Sequence, residues 1–149
     1  MHLRPARPDE AALLTELCLR SKAVWGYDEA FMLACAAELT LTPADCATSS
    51  VQVAVEGDEI AGVVQVAIEG DEADLTKLFI APSTMRNGAG RRLFDWAAHT
   101  ARQNGAKWLR IEADPGAAGF YRRMGAIDDG VTPSGSIPGR FLPRLKYRL

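Results

Sequence analysis

The sequence has few cysteines, and none of them is placed for a metal centre or a disulfide framework. The three present, Cys18, Cys35 and Cys46, are odd in number, lie far apart and form no Cys-x-x-Cys pair. Structural zinc sites and disulfide-rich modules need several cysteines at short, regular spacings. We therefore interpret these thiols as buried or incidental side chains and expect no metal ion.

Long apolar runs are also missing. No window approaches the roughly 20 apolar residues of a membrane-spanning helix. The N-terminal segment Met1-His2-Leu3-Arg4-Pro5 is polar and has no apolar core of the kind found in a signal peptide. With 48% hydrophobic and 24% charged residues, the chain can bury a proper core. We expect one globular domain over residues 1–149, in the cytoplasm and not bound to a membrane.

The net charge is only −2, but the two signs are unevenly distributed. Residues 1–80 hold 14 acidic and 5 basic side chains (net −9), and residues 81–149 hold 5 acidic and 12 basic ones (net +7). This split argues against a simple nucleic-acid binder and fits a protein whose basic part meets an anionic ligand. Uneven surface decoration is the alternative, because sequence halves need not correspond to faces of a fold.

Hydrophobic periodicity predicts two helices followed by three strands. A helical stripe begins after Asp9 and ends at Trp25-Gly26, and a second helix fits Asp28 to Leu39. After a polar loop the period changes to two, and the tetrapeptide Glu-Gly-Asp-Glu occurs twice as a turn. This pattern predicts a three-stranded antiparallel meander, with strands at Val51–Val55, Ile60–Ile68 and Ala73–Ile80.

The second half of the chain alternates between helices and strands. A helix with Leu93, Phe94, Ala97, Ala98 and Ala101 on one side ends at Asn104-Gly105 and is followed by a strand from Lys107 to Ala113. A strand–helix–strand unit of this length implies a parallel pairing. Asp114-Pro115 then predicts another helix, with Asp114 as its N-cap, and two strands are expected between Ile127 and Leu149.

A glycine-rich turn separates the meander from the first of these helices. Its sequence is Met85-Arg86-Asn87-Gly88-Ala89-Gly90-Arg91. The first amides of a helix lack helical acceptors and attract anions, and the two glycines let the backbone approach a phosphate. A P-loop is excluded because no glycine is followed by Lys and Ser/Thr, and a dinucleotide fingerprint is excluded because position 93 is leucine.

The remaining pattern resembles motif A of the GCN5-related N-acetyltransferases (GNAT), Gln/Arg-x-x-Gly-x-Gly/Ala, with Met85 at its first position. A second segment, Ala117-x-x-Phe120-Tyr121-x-x-x-Gly125-Ala126, resembles motif B of the same family and stands at the expected distance. The resemblance covers roughly residues 3–149. It implies an α/β (α+β) GNAT fold with a mixed, mostly antiparallel twisted sheet of six to seven strands and about four helices.

The resemblance also implies a reaction, the transfer of an acetyl group from acetyl-CoA to a primary amine. Tyr121 matches the tyrosine that protonates the departing thiolate, although a packed aromatic is the alternative. Asp114 stands seven residues before Tyr121, where many members carry an asparagine that binds pantetheine. Backbone amides would hold the pantetheine and the acetyl carbonyl at Leu78, Phe79 and Ile80, and the pyrophosphate at Arg86, Asn87, Gly88, Ala89, Gly90 and Arg91.

The general base is left open between two acids. Asp74 occupies the strand position where the histone-modifying branch carries its glutamate, but it also fits a solvated residue at a strand start. Glu112 is the alternative, acting directly or through a water. None of the three cysteines lies in either motif, so direct attack in a ternary complex is expected instead of a covalent relay.

The acceptor is less well defined. Aromatic side chains beside acids suggest a small cationic amine, whereas a peptide N-terminus, a lysine, or a merely packed corner are alternatives. A non-catalytic acetyl-CoA sensor with the same fold is a second hypothesis, and a homodimer is a family-level expectation. The candidate substrate-binding residues are Trp25, Tyr27, Asp28 and Phe31, with the loop around Ser134-Gly135-Ser136 as a further wall.

Overall fold

The computed structural model describes residues 1–48, 50–84 and 87–149. The described residues form a mixed sheet of seven strands with helices on both faces. The strands are β1 His2–Pro5, β2 Val51–Glu56, β3 Glu59–Glu69, β4 Glu72–Ile80, β5 Trp108–Glu112, β6 Ile127–Pro133 and β7 Phe141–Arg148. The helices are α1 Ala11–Ala23, α2 Glu29–Leu39, α3 Pro43–Ala47, α4 Ala89–Gln103 and α5 Ala118–Arg123, with 3₁₀ turns at Pro8–Glu10 and Pro82–Thr84.

The strand order is β1-β2-β3-β4-β5-β7-β6. Only β4 and β5 pair in parallel, and α4 connects them, whereas the other neighbours are antiparallel. The meander and the parallel strand–helix–strand unit are therefore confirmed, as is the GNAT-type fold class. None of the described helices is long and apolar enough to cross a membrane.

A bulge in β4 divides that strand into two parts. In its pairing with β3, Lys77 is opposite Gln65 but Leu75 is opposite Val66, so Thr76 is an extra residue. The parallel pairing with β5 ends at the same place, at the pair Leu75 and Ile111. Beyond the bulge β4 continues to Ile80 without a partner on that side, so the two strands diverge and leave a gap.

The core has two parts, one on each face of the sheet. On one face α4 and α5 pack against β3, β4 and β5, and the fully buried Phe94 contacts Tyr147 edge-on at 5.1 Å between ring centroids. The apolar side of α4 predicted from its spacing is buried here: Leu93, Phe94, Ala97, Ala98 and Ala101. On the other face α1, α2 and α3 form a second core with apolar residues of β2, β3 and β4, and all three cysteines are buried there.

Two local predictions are wrong. The segment after Thr42 is a short helix, α3, instead of a loop, because Thr42 and Asp45 cap it reciprocally. Asp114 is not the N-cap of α5, which begins four residues later at Ala118. Its carboxylate accepts a hydrogen bond from the Gly116 amide at 3.1 Å, so it stabilises the turn that precedes the helix.

Candidate active site

A cavity of about 1110 Å³ opens where β4 and β5 diverge. Its walls come from the second half of β4, the start of α4, the end of β5, and α5. Residues from the ends of α1 and α2 also line it, so the cavity reaches the helix layers on both faces of the sheet. A long ligand can therefore lie in the gap with its two ends in different layers.

Two backbone amides of β4 point into this gap. The Ala81 amide donates to the Ala61 carbonyl of the neighbouring segment at 2.8 Å. Hydrogen-bonded pairs alternate along an antiparallel ladder, so the amide of Phe79 is also directed at β3. The amides of Leu78 and Ile80 point the other way, towards the cavity. Of the three amides predicted to bind the ligand, that of Phe79 is therefore directed at β3, whereas those of Leu78 and Ile80 face the cavity.

The start of α4 forms the second group of amides. Gly88 caps the helix in the left-handed region, at φ 84° and ψ 2°. The first helical bond runs from the Arg92 amide to the Gly88 carbonyl, at 3.2 Å. The three preceding amides, at Ala89, Gly90 and Arg91, come before this bond and have no acceptor within the helix.

The remaining predicted members of this turn differ from one another. The Asn87 amide donates to the Thr84 carbonyl at 3.3 Å, and the Asn87 side chain lies 3.4 Å from the Glu56 carboxylate. Asn87 is therefore engaged within the protein and not available as predicted. Arg86 lies outside the described residues.

Tyr121 lies on α5 with its side chain on the cavity wall. The residue is only 7% exposed, and its ring is surrounded by Phe94 and Phe120, with centroids at 6.1 and 5.2 Å. Burial raises the pKa of the Tyr121 hydroxyl. No hydrogen-bond partner of this hydroxyl is found among the described residues, so it is a protonated donor facing the cavity.

Asp74 lines the same cavity but is bound by Arg110 from the adjacent strand. The guanidinium donates from Nε to Oδ1 at 2.8 Å and from Nη2 to Oδ2 at 3.0 Å. Arg110 also donates to Glu72, and the hydrogen bond to Asp74 raises the pKa of Arg110. Both carboxylate oxygens of Asp74 are therefore occupied, which makes it a poor acceptor for a substrate proton.

Glu112 is the last residue of β5 and lines the cavity with an exposed side chain. Its cross-strand neighbour on β7 is Arg144, but Arg144 donates to the Asp129 carbonyl at 3.1 Å instead. In the part of the chain that the structure describes, no ion pair neutralises Glu112. It is the better placed of the two predicted acids to accept a proton.

Asp114 is the centre of a cluster that joins three separate segments. Its Oδ2 accepts from the Tyr27 hydroxyl at 2.7 Å and lies 3.3 Å from Lys22 Nζ and 3.5 Å from Arg140 Nη2. Burial acts to raise the pKa of Asp114, but the hydrogen bonds from Tyr27 and the Gly116 amide and the charge of Lys22 outweigh it, so the pKa is lowered. The partners of the Asp114 carboxylate therefore lie within the protein, and this structure does not show the carboxylate free for the predicted contact with the coenzyme.

The four predicted substrate-binding residues separate into two groups. Trp25 lines the cavity, and its ring covers Gly116 so closely that an added Cβ would lie 2.8 Å away. Tyr27 and Phe31 stack at 3.9 Å between centroids, and Asp28 caps α2 by accepting from the Phe31 amide at 2.8 Å. None of these three is among the described residues that line the cavity.

The aromatic pair already has cations on it. Lys22 Nζ is 5.5 Å from the Tyr27 ring centroid, and the Arg140 guanidinium carbon is 4.8 Å from that of Phe31. At this corner, where the sequence predicts a cationic ligand or a packed corner, the cations over the two rings are therefore the protein's own Lys22 and Arg140. Sequence reasoning missed Lys22 and Arg140, because the bonds join residues 92 and 113 positions apart.

Comparisons with known proteins agree on the family. The family model described as "Acetyltransferase (GNAT) domain" matches residues 29–132, more than half of the chain. No curated protein matched the chain. A GCN5-related N-acetyltransferase from Rhodopseudomonas palustris is similar in structure, with a TM-score of 0.77 and 22% identity over 99% of this chain and 95% of that one.

Two other solved structures are similar over nearly their whole length. The PaiA N-acetyltransferase from Thermoplasma acidophilum, in complex with coenzyme A, has a TM-score of 0.78 and 14% identity, covering 99% of this chain and 98% of that one. The ribosomal-protein-alanine N-acetyltransferase from Brucella melitensis has a TM-score of 0.67 and 16% identity, covering 100% of each chain. At these identities the likeness establishes the fold.

Proposed function

Because this chain belongs to the GNAT family of acetyltransferases, we propose that it transfers the acetyl group of acetyl-CoA to a primary amine by direct attack in a ternary complex. Family membership places the protein among the transferases. The observation that carries the proposal is the gap between β4 and β5, which leads from the free amides of α4 past those of Leu78 and Ile80 to the hydroxyl of Tyr121. One continuous cavity therefore offers donors for a diphosphate, a thioester carbonyl and a leaving thiolate.

The start of α4 suits the coenzyme diphosphate. The amides of Ala89, Gly90 and Arg91 and the positive end of the helix dipole would receive it, and the Arg91 and Arg123 side chains line the cavity nearby. Gly90 packs against Phe120, where an added Cβ would lie 3.4 Å from the ring. Because Gly90 has no side chain and packs closely on Phe120, only its backbone faces the ligand.

A neutral amine must lose one proton as the amide forms, and the sulfur must gain one; an acceptor that arrives as an ammonium first gives up one further proton to solvent. The amine nitrogen attacks the thioester carbonyl, the carbon–sulfur bond breaks, and the amides of Leu78 and Ile80 stabilise the charge that develops on the oxygen. Glu112 takes the amine proton, directly or through a water, and Tyr121 gives its proton to the thiolate. General acid–base catalysis of this kind contributes about 10²–10⁴-fold in rate.

For the acceptor we propose a small amine that approaches as a cation. Asp28, the predicted acid, and the adjacent Glu29 are not among the described residues of the cavity wall. Glu38 and Glu112 line it instead, and both are exposed carboxylates without an ion pair in the described parts of the chain. They would attract an ammonium group and leave it close to the proposed base.

The direct test is the release of coenzyme A thiol from acetyl-CoA in the presence of a panel of small amines, peptides with free N-termini and lysine-containing peptides. We expect turnover with at least one small amine, and its loss in a Tyr121→Phe, Glu112→Gln double variant that still binds coenzyme A. Tight coenzyme binding by the wild type without turnover of any amine would instead favour the non-catalytic sensor.

A further inference from the structure

The cluster around Asp114 contains two cations and one carboxylate. Lys22 and Arg140 both approach the same oxygen, Asp114 Oδ2, and neither has another carboxylate within 4.0 Å among the described residues. Tyr27 lies between them as a neutral group, because burial and the neighbouring Asp114 raise its pKa to about 12. The cluster therefore carries one net positive charge.

This charge is largely removed from solvent. The exposed fractions of the side chains are 13% for Lys22, 12% for Asp114 and 18% for Arg140. A poorly solvated charge without a partner is costly, so such a site is completed by a counter-ion. Both cations lie over the aromatic pair, but Arg140 also donates to the Tyr27 hydroxyl at 2.7 Å and is not among the described residues of the cavity wall, whereas Lys22 is.

Lys22 also faces the cavity between β4 and β5. It lies on the cavity wall, and of the three donors of its ammonium group one has a partner in the described structure, at the rather long distance of 3.3 Å. The carboxylates of Glu38 and Glu112, which form no ion pair with another described residue, line the same cavity. An acceptor bound there meets a cation on one wall and acids on another.

We propose that Lys22, held in place by Asp114 and backed by Arg140, binds a carboxylate of the acceptor, so that the acceptor is an amine that also carries an anionic group, as in an amino acid. This inference rests on the proposed function, because it identifies the substrate class of the same site. The acceptor ammonium faces Glu112 and Glu38, and its carboxylate faces Lys22.

The first test compares amino acids with their C-terminal amides as acceptors. Each pair shares the amine and the side chain and differs in the carboxylate. The amine of the amide is the less basic and loses its proton more easily, so that difference works against the expected result. We expect kcat/KM to favour the acid by about tenfold or more, the size of a charge-assisted hydrogen bond.

The variants separate recognition from structure. Lys22→Met keeps the length of the side chain and leaves Asp114 paired with Arg140 and Tyr27, so the fold is retained. In Lys22→Met we expect the ratio of kcat/KM for the acid to that for the amide to fall to about one, and in Lys22→Arg we expect it to recover in part. The ratio should not change in Lys107→Met, because Lys107 is exposed and lies away from the cavity. KM for acetyl-CoA should not change.

Binding of product provides a readout that does not need turnover. N-acetylglycine and the neutral N-acetylglycinamide are titrated by calorimetry into protein saturated with coenzyme A, as are the N-acetyl derivatives of larger amino acids. Tighter binding of the acids, lost in Lys22→Met, supports the proposal even if no amine is acetylated. Such a result with no turnover would contradict the proposed function and not this inference.

Three results would overturn the inference. The amides could be acetylated as well as the acids while turnover itself is present, which would leave the proposed function intact. Lys22→Met could lower activity on both members of each pair equally, which would indicate a purely structural role. It could also weaken coenzyme A binding, which would show that the anion at Lys22 is a coenzyme phosphate.

Discussion

Arg110 holds both carboxylate oxygens of Asp74, at 2.8 and 3.0 Å, from the strand that pairs in parallel with β4. Asp74 would have to break a bidentate ion pair before it could take a proton from a substrate. Glu112, two residues after Arg110 on the same strand, is not restrained in this way. For this reason we propose Glu112 on β5, and not Asp74 on β4, as the general base.

Substitution of the two acids should separate them. We expect Glu112→Gln to lower kcat by about 10²-fold or more, the usual loss for a general base. Asp74→Asn should lower it by roughly threefold at most, because Asp74, held by Arg110, takes no part in the proposed proton transfer. Steady-state kinetics with one proficient acceptor, at several pH values, measures both. A larger loss in Asp74→Asn than in Glu112→Gln would return the role of base to Asp74.

Tyr121→Phe should affect catalysis without affecting the fold. The hydroxyl has no partner in the described structure, so its removal leaves no buried group unsatisfied, and the ring contacts with Phe94 and Phe120 remain. We expect kcat to fall by about 10²-fold while the urea midpoint stays within error. An acetyl thioester donor whose leaving thiol is more acidic than that of coenzyme A should recover part of the loss. Unchanged kcat in Tyr121→Phe would exclude Tyr121 as the acid.

The left-handed glycine before α4 gives a test of the diphosphate site with a matched control. Gly88 and Gly57 both have positive φ, at 84° and 62°, and no atom of the described residues lies within 4 Å of a Cβ added at either. Alanine at either position should lower the free energy of unfolding by roughly 1–2 kcal/mol through backbone strain alone. Only Gly88→Ala should also weaken coenzyme A binding in calorimetry. Equal coenzyme affinities in the two variants would argue against a diphosphate at this turn.

The Tyr27 hydroxyl should make stability depend on pH in the alkaline range. Its folded pKa of about 12 exceeds its ordinary value of 10.0, so the folded state holds the proton more tightly than the unfolded state. The resulting stabilisation is present in full below the unfolded pKa and is lost as the pH rises through the folded one. Urea unfolding between these values should show a steeper decline for wild type than for Tyr27→Phe. Parallel declines would contradict the hydrogen-bonded state of Tyr27.

Short-range patterns in the sequence were sufficient for much of the fold. Alternation of apolar and polar residues predicted the meander, the spacing of apolar residues predicted the buried side of α4, and the glycines predicted the turn at Gly88. The contacts that decide the chemistry join distant residues, as in the pair of Lys22 and Asp114, 92 positions apart. No local sequence pattern encodes such a pair, because the contact depends on how the helices and strands are arranged in the folded protein.

The same limit explains the errors at individual groups. Whether the Phe79 amide faces the cavity depends on the register of β4 against β3, which the bulge at Thr76 shifts by one residue. Asp114 has the sequence context of an N-cap, but three side chains from other segments and the Gly116 amide bind its carboxylate. Tertiary partners overrode the local preference in both cases.

The most direct test of the account is a crystal structure of the protein with coenzyme A. We predict the diphosphate at the amides of Ala89, Gly90 and Arg91, the pantetheine arm in the gap between β4 and β5 within hydrogen-bond distance of the Leu78 and Ile80 amides, and the sulfur beside the Tyr121 hydroxyl. Coenzyme bound outside that gap, or with its sulfur remote from Tyr121, would contradict the proposed chemistry.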